Sequence, residues 1–123
     1  MEREKIKKMK YNYNKLVRDY TLEEITEAGD RCVSYKVIAD DQEYEKCLVD
    51  KLHEEVQEVV LALNNKDNKN LVEEIADVYT VLEAILTLHE LDKVELESAY
   101  YSKCAARGHF YKRLYLISTE EVK

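Results

Sequence analysis

The chain is 123 residues long, enough for one domain and too short for two of ordinary size. It is 46% hydrophobic and 37% charged, too apolar for a disordered chain and too charged for a membrane-embedded one, and no apolar run approaches the roughly 18 residues of a membrane span. A net charge of −7 argues against duplex nucleic acid as the main ligand, and no proline with two glycines leaves too few turn residues for a sandwich or barrel.

Residues 1–10, MEREKIKKMK, form a basic tail with no apolar signal core behind it, so the expectation is a single cytoplasmic domain spanning 1–123. Thr21 and Glu24 have capping-box spacing and predict a short helix that ends at Gly29. Cys32 to Ile38 alternates and is rich in β-branched and aromatic residues, which predicts a short strand or extended segment. A lone strand needs a partner, and a second subunit is one source of it. Asp40 and Glu43 repeat the capping spacing and open a helix to about Asn64, with Leu48, Leu52, Val56, Val59 and Leu63 as its apolar stripe. The polar run Asn64–Asn70 predicts the turn of an antiparallel helical hairpin. A further helix should reach about Glu90 on the stripe Leu71, Ile75, Val78, Leu82 and Ile85. Asp92 and Glu95 cap a last helix to Arg107, stopped by Gly108. The tail from His109 to Ile117 is apolar and basic, an extended arm or a last strand.

The fold class read from this order is all-α, an antiparallel helical bundle with a short extended or β segment near residues 32–38. Long amphipathic helices and a lone strand argue for a homodimer or homotetramer. Cys32, Cys47 and Cys104 are odd in number and widely spaced, which fits free thiols in a reducing compartment.

The hairpin carries the chemical signal. Glu55 and Glu58 stand three apart on one helix face, and Glu74 and Asp77 do the same on the next helix. Across an antiparallel hairpin the two pairs can converge. Four gathered carboxylates repel one another, and a hard divalent cation such as Mg²⁺ relieves that repulsion. No Cys or His pair joins them, which disfavours zinc, and no Glu-x-x-His pair marks a di-iron bundle. Either pair alone is an ordinary solvated helix face in a chain with 26 acidic residues. Glu54, Glu73 and Glu83 have that plain reading, with Glu54 and Glu73 also placed to neighbour a metal. Most of the ten tyrosines should be core edge or subunit contact; Tyr79 and Tyr100 are candidates to stack on a base. His53, His89 and His109 read as structural or exposed.

Glu55-x-x-Glu58, fifteen residues, then Glu74-x-x-Asp77 resembles the signature of the MazG-like all-α nucleotide pyrophosphohydrolases. Tyr13-Asn-Lys-Leu-Val-Arg-Asp19, and Lys103 followed by Arg107-Gly-His-Phe-Tyr-Lys-Arg113, are similar to the opening and closing motifs of the phosphoribosyl-ATP pyrophosphohydrolase-like branch. Two departures stand beside them: Tyr20-Thr-Leu22 replaces a Lys-Ile-Pro, and Gly108-His109 replaces a Gly-Gly. The resemblance implies hydrolysis of a nucleoside triphosphate between its α and β phosphates, with Mg²⁺, or Mn²⁺ as substitute, on Glu55, Glu58, Glu74 and Asp77. Glu55 is the first candidate to orient or deprotonate the attacking water, with Glu58 as the second catalytic carboxylate. Lys15, Arg18, Lys103 and Arg107 are the cations assigned to the substrate phosphates, where arginine grips bidentately. The alternatives are phosphoribosyl-ATP hydrolysis in histidine synthesis, a non-catalytic nucleotide-sensing partner module, or a purely structural helical bundle.

Overall fold

A computed structural model describes residues 8–123, so most of the basic tail lies outside the described residues. It forms four helices: α1 Thr21–Ala28, α2 Asp41–Asn64, α3 Asn68–Leu88 and α4 Lys93–Arg107. The all-α expectation holds. No strand forms among the described residues, and 32–38 lies outside any ladder. Its alternation lacks a neighbouring segment to pair with, and an unpaired strand has no hydrogen-bonded partner to define it. No helix is long and apolar enough to cross a membrane among the described residues.

Local chemistry sets most of the helix ends. Asp40 accepts the N–H of Glu43 at the start of α2, and Asp92 with Glu95 forms a full reciprocal capping box at the start of α4. Thr21 is a correction. Its N–H donates to the Arg18 carbonyl at 3.1 Å, and the Glu24 N–H takes the Tyr20 carbonyl, so the helix begins one residue earlier and the threonine hydroxyl caps nothing. The predicted seven-residue turn is also shorter. Only Asn65, Lys66 and Asp67 join α2 to α3, because Asp67 accepts the N–H of Asn70 and starts the next helix at once.

Both long helices close with a Schellman pattern. At the end of α2 the Asp67 N–H reaches the Ala62 carbonyl and the Lys66 N–H reaches the Leu63 carbonyl. At the end of α3 Leu91 and Glu90 donate to Leu86 and Thr87 in the same way. The left-handed residue is Lys66 in one (φ 53°) and Glu90 in the other (φ 57°), where glycine is the usual occupant. A side chain there crowds the backbone. Lys66→Gly is therefore expected to stabilise the chain by up to about 1 kcal/mol in a urea melt; a clear loss of stability would show that Lys66 is held by something other than backbone geometry.

α2 and α3 pack as an antiparallel hairpin, the one extensive helix–helix packing among the described residues. The bond from His89 Nε2 to Glu45 Oε1 (2.8 Å) sets its open end. The inner seam of α2 is Leu48, Leu52, Glu55, Val59 and Ala62, all buried or half-buried at alternating steps of four and three. The seam of α3 runs Leu71, Glu74, Val78, Val81 and Ile85 on the same rhythm. The sequence stripes had mixed this seam with a second face. Val56, Leu63, Ile75 and Leu82 stand off it and stay 41–55% exposed. Their half-exposure leaves a continuous apolar face on the outside of the hairpin. More important for function, an acidic residue occupies a seam position on each helix.

Candidate metal centre between the long helices

An ionised carboxylate in an apolar helix seam costs free energy unless something of opposite charge meets it. Glu55 is 9% exposed, the one buried charged residue among those described. Glu74 faces it from α3, and Asp77 follows one turn on. Carboxylate oxygens of Glu55, Glu74 and Asp77 all lie within 4.8 Å of one another. The fourth predicted ligand, Glu58, is exposed and stands outside this trio. It is still close enough for its charge to act on Glu74 and on Lys15.

The electrostatics show the strain of the gathering. Desolvation, then the negative charges of Asp77, Glu58 and Glu55, push the Glu74 carboxyl above its ordinary range. Cations from two directions offset part of the charge. Lys51, one turn before Glu55 on α2, sets its Nζ 3.3 Å from Glu55 Oε1 and 3.4 Å from Glu54 Oε1. Its side chain is 17% exposed, so this ammonium belongs to the site more than to solvent. From the segment before α1, Lys15 donates to Glu54 Oε1 at 2.8 Å, which raises the lysine and lowers the glutamate. Arg18 Nη2 meets Asp77 Oδ1 at 2.5 Å and Thr80 Oγ1 at 3.2 Å.

Of the eight residues picked out in the sequence, the structure gathers six: Glu55, Glu74 and Asp77 at the centre, and Glu58, Lys15 and Arg18 around them. Lys103 and Arg107 lie on exposed positions of α4, and neither forms an ion pair with those carboxylates. Tyr79 is half-exposed on α3 with the Lys93 ammonium 5.8 Å from its ring centre, and Tyr100 packs edge-on against Tyr101 and His109. Glu54 turns out to be the anchor of Lys15, and Glu83 pairs with Lys93 at 3.3 Å. Lys51 and Thr80 were missed. Lys51 stands four before Glu55, a spacing that could have flagged it; nothing in the sequence marks Thr80.

Three carboxylates with oxygen-only donors, one buried and one pushed up by desolvation and then by its acidic neighbours, fit a hard divalent cation such as Mg²⁺ or Mn²⁺. Glu55, Glu74 and Asp77 would hold it, with Glu58 beside them.

Fold and site together define an all-α protein with a cluster of carboxylates set in a helical hairpin. Residues 42–107 match the MazG nucleotide pyrophosphohydrolase domain, more than half of the chain and all four carboxylates included. The chain belongs to this MazG nucleotide pyrophosphohydrolase domain family. Neither the curated proteins nor the solved structures give a significant match.

Proposed function

We propose that the chain is a Mg²⁺-dependent nucleoside triphosphate pyrophosphohydrolase that cuts between the α and β phosphates, releasing a nucleoside monophosphate and pyrophosphate. The observation that carries this reading is the convergence of Glu55, Glu74 and Asp77 inside a domain of the matched family. When bound, the divalent cation neutralises phosphate oxygens and the charge that develops on them. The protein's own groups have separable tasks. The Lys51 ammonium lies 3.3 Å from Glu55 Oε1, on one side of the carboxylate, and the oxygen away from it can orient water or accept its proton. Glu58, exposed at the rim, is the second carboxylate able to meet that water. Lys15 and Arg18 approach from the segment before α1 and meet the phosphates at the open side. Lys103 and Arg107 join them from α4.

The apolar face left by Val56, Val60, Leu63, Ile75, Tyr79 and Leu82 supports assembly into a homodimer or homotetramer, two hairpins closing one bundle. Three unpaired cysteines fit a cytoplasmic setting. A role in removing aberrant nucleotides suits this chemistry, and phosphoribosyl-ATP is the alternative substrate, favoured by the motifs around Arg18 and Arg107.

The test is pyrophosphate release from a panel of nucleoside triphosphates and phosphoribosyl-ATP, with and without Mg²⁺. Mg²⁺-dependent release with matching monophosphate is the expected result. Silence across the whole panel, or release of inorganic phosphate and a diphosphate, would sink the proposal.

A further inference from the structure

Arg18 holds a position that a phosphate-binding residue has no evident need to hold. Its guanidinium rests on Asp77, one of the three converging carboxylates, and on the Thr80 hydroxyl one turn along α3. Thr80 donates its own proton to the Ala76 carbonyl at 2.9 Å, so its oxygen is oriented to accept from Arg18. The contact joins residues 59 apart in sequence, across the segment before α1 and the second hairpin helix.

A guanidinium stays charged at any ordinary pH. On Asp77 it offsets negative charge at the spot where a divalent cation would do the same. The two cations compete for one carboxylate. The Arg18 side chain is 58% exposed, and an ion pair so open to water is weak and readily exchanged. The segment that carries it is pinned independently. Lys15 is tied to Glu54, Leu16 is half-buried, and the Thr21 N–H closes a turn onto the Arg18 carbonyl. Arg18 can therefore release Asp77 without its backbone leaving the site. Only Nη2 makes hydrogen bonds among the described residues, so the rest of the donor fork remains for a second anion.

We propose that Arg18 is an exchangeable counter-cation: it neutralises Asp77 while the centre lacks a divalent ion, and transfers to a substrate phosphate once that ion takes the carboxylate. This rests on the metal-dependent reading above and adds an order of events to it. The triphosphate carries the anion that Arg18 seeks after displacement, so metal and nucleotide binding reinforce each other through one side chain.

Such an exchange moves two binding constants in opposite directions. Mn²⁺ binding is followed by calorimetry on the full chain without nucleotide, and binding of a non-hydrolysable triphosphate analogue is followed at saturating Mn²⁺. Arg18→Gln removes the competitor and the phosphate grip together. Mn²⁺ is expected to bind it about 2- to 5-fold more tightly than wild type, and the analogue at least 10-fold more weakly. Thr80→Val removes only the resting place, so Mn²⁺ affinity should rise while analogue affinity does not fall. Circular dichroism checks that both variants keep their helices. If Arg18 merely positions Asp77, Arg18→Gln will bind Mn²⁺ more weakly or equally, and the proposal is overturned. Undiminished analogue binding overturns it as well. If wild type takes up no Mn²⁺, the metal-dependent reading falls first and this inference with it; a wild type that binds Mn²⁺ and an Arg18→Gln that binds it no better defeats the inference alone.

Discussion

Glu55→Gln is expected to lower Mg²⁺-dependent pyrophosphate release by at least about 100-fold while leaving the ion-free protein no less stable than wild type. The first half follows from placement. Glu55 is the buried member of the trio, and in the proposed reaction its carboxylate serves both the cation and the water. Losing one such preorganised group costs enzymes on the order of 10² to 10³ in rate. The second half follows from repulsion. The Glu55 charge is among those that push Glu74 toward protonation, so the amide removes a cost that the ion-free protein carries. Lys51 loses one anionic neighbour but keeps Glu54 at 3.4 Å. A steady-state assay paired with a thermal melt in chelator checks both. A variant that loses activity because it unfolds would show a lowered melting temperature, and that would assign Glu55 to structure.

Val60→Glu carries the other large effect. Val60 is 42% exposed on the outer face of the hairpin, next to Val56 and Leu63 and away from the carboxylate seam. In a two-fold assembly each copy contributes this residue, so one substitution removes two buried valines and sets two like charges in an apolar contact. Burial of a valine side chain is worth roughly 1.5 kcal/mol at the low end, so two amount to about 100-fold in dissociation constant. Sedimentation should show wild type as a dimer or tetramer, and Val60→Glu as a species near 14.5 kDa at micromolar concentration. A wild type that already sediments at 14.5 kDa would contradict the reading of this face.

Much of this was legible from spacing. Asp40 and Asp92 mark real helix starts because a short acidic side chain followed by helical residues has one favourable use, accepting an orphan N–H. The hairpin and its two acid pairs were legible because the 3.6-residue period places i and i+3 on one face. What escaped was set by contacts beyond the local window. Thr21 lost its capping role to a turn made by Arg18. Lys66 and Glu90 took the left-handed positions that a sequence reader assigns to glycine. The stripes through Val56 and Ile75 blended an inner seam with an outer face, since a helix with apolar residues on two faces shows no single clean period. Burial separates Glu55 from Glu58, and spacing treats them alike. Lys51 was hidden by abundance, one basic residue among 19.

The most direct test of the carboxylate centre is a Mn²⁺ titration followed by electron paramagnetic resonance, on wild type and on Glu55→Gln, Glu58→Gln, Glu74→Gln and Asp77→Asn. Saturable binding by wild type, weakened at least 10-fold in the Glu55, Glu74 and Asp77 variants and less in the Glu58 variant, is the expected result. Wild type that shows no saturable binding, or variants of the central trio that bind as wild type does, would contradict a divalent-cation site between α2 and α3.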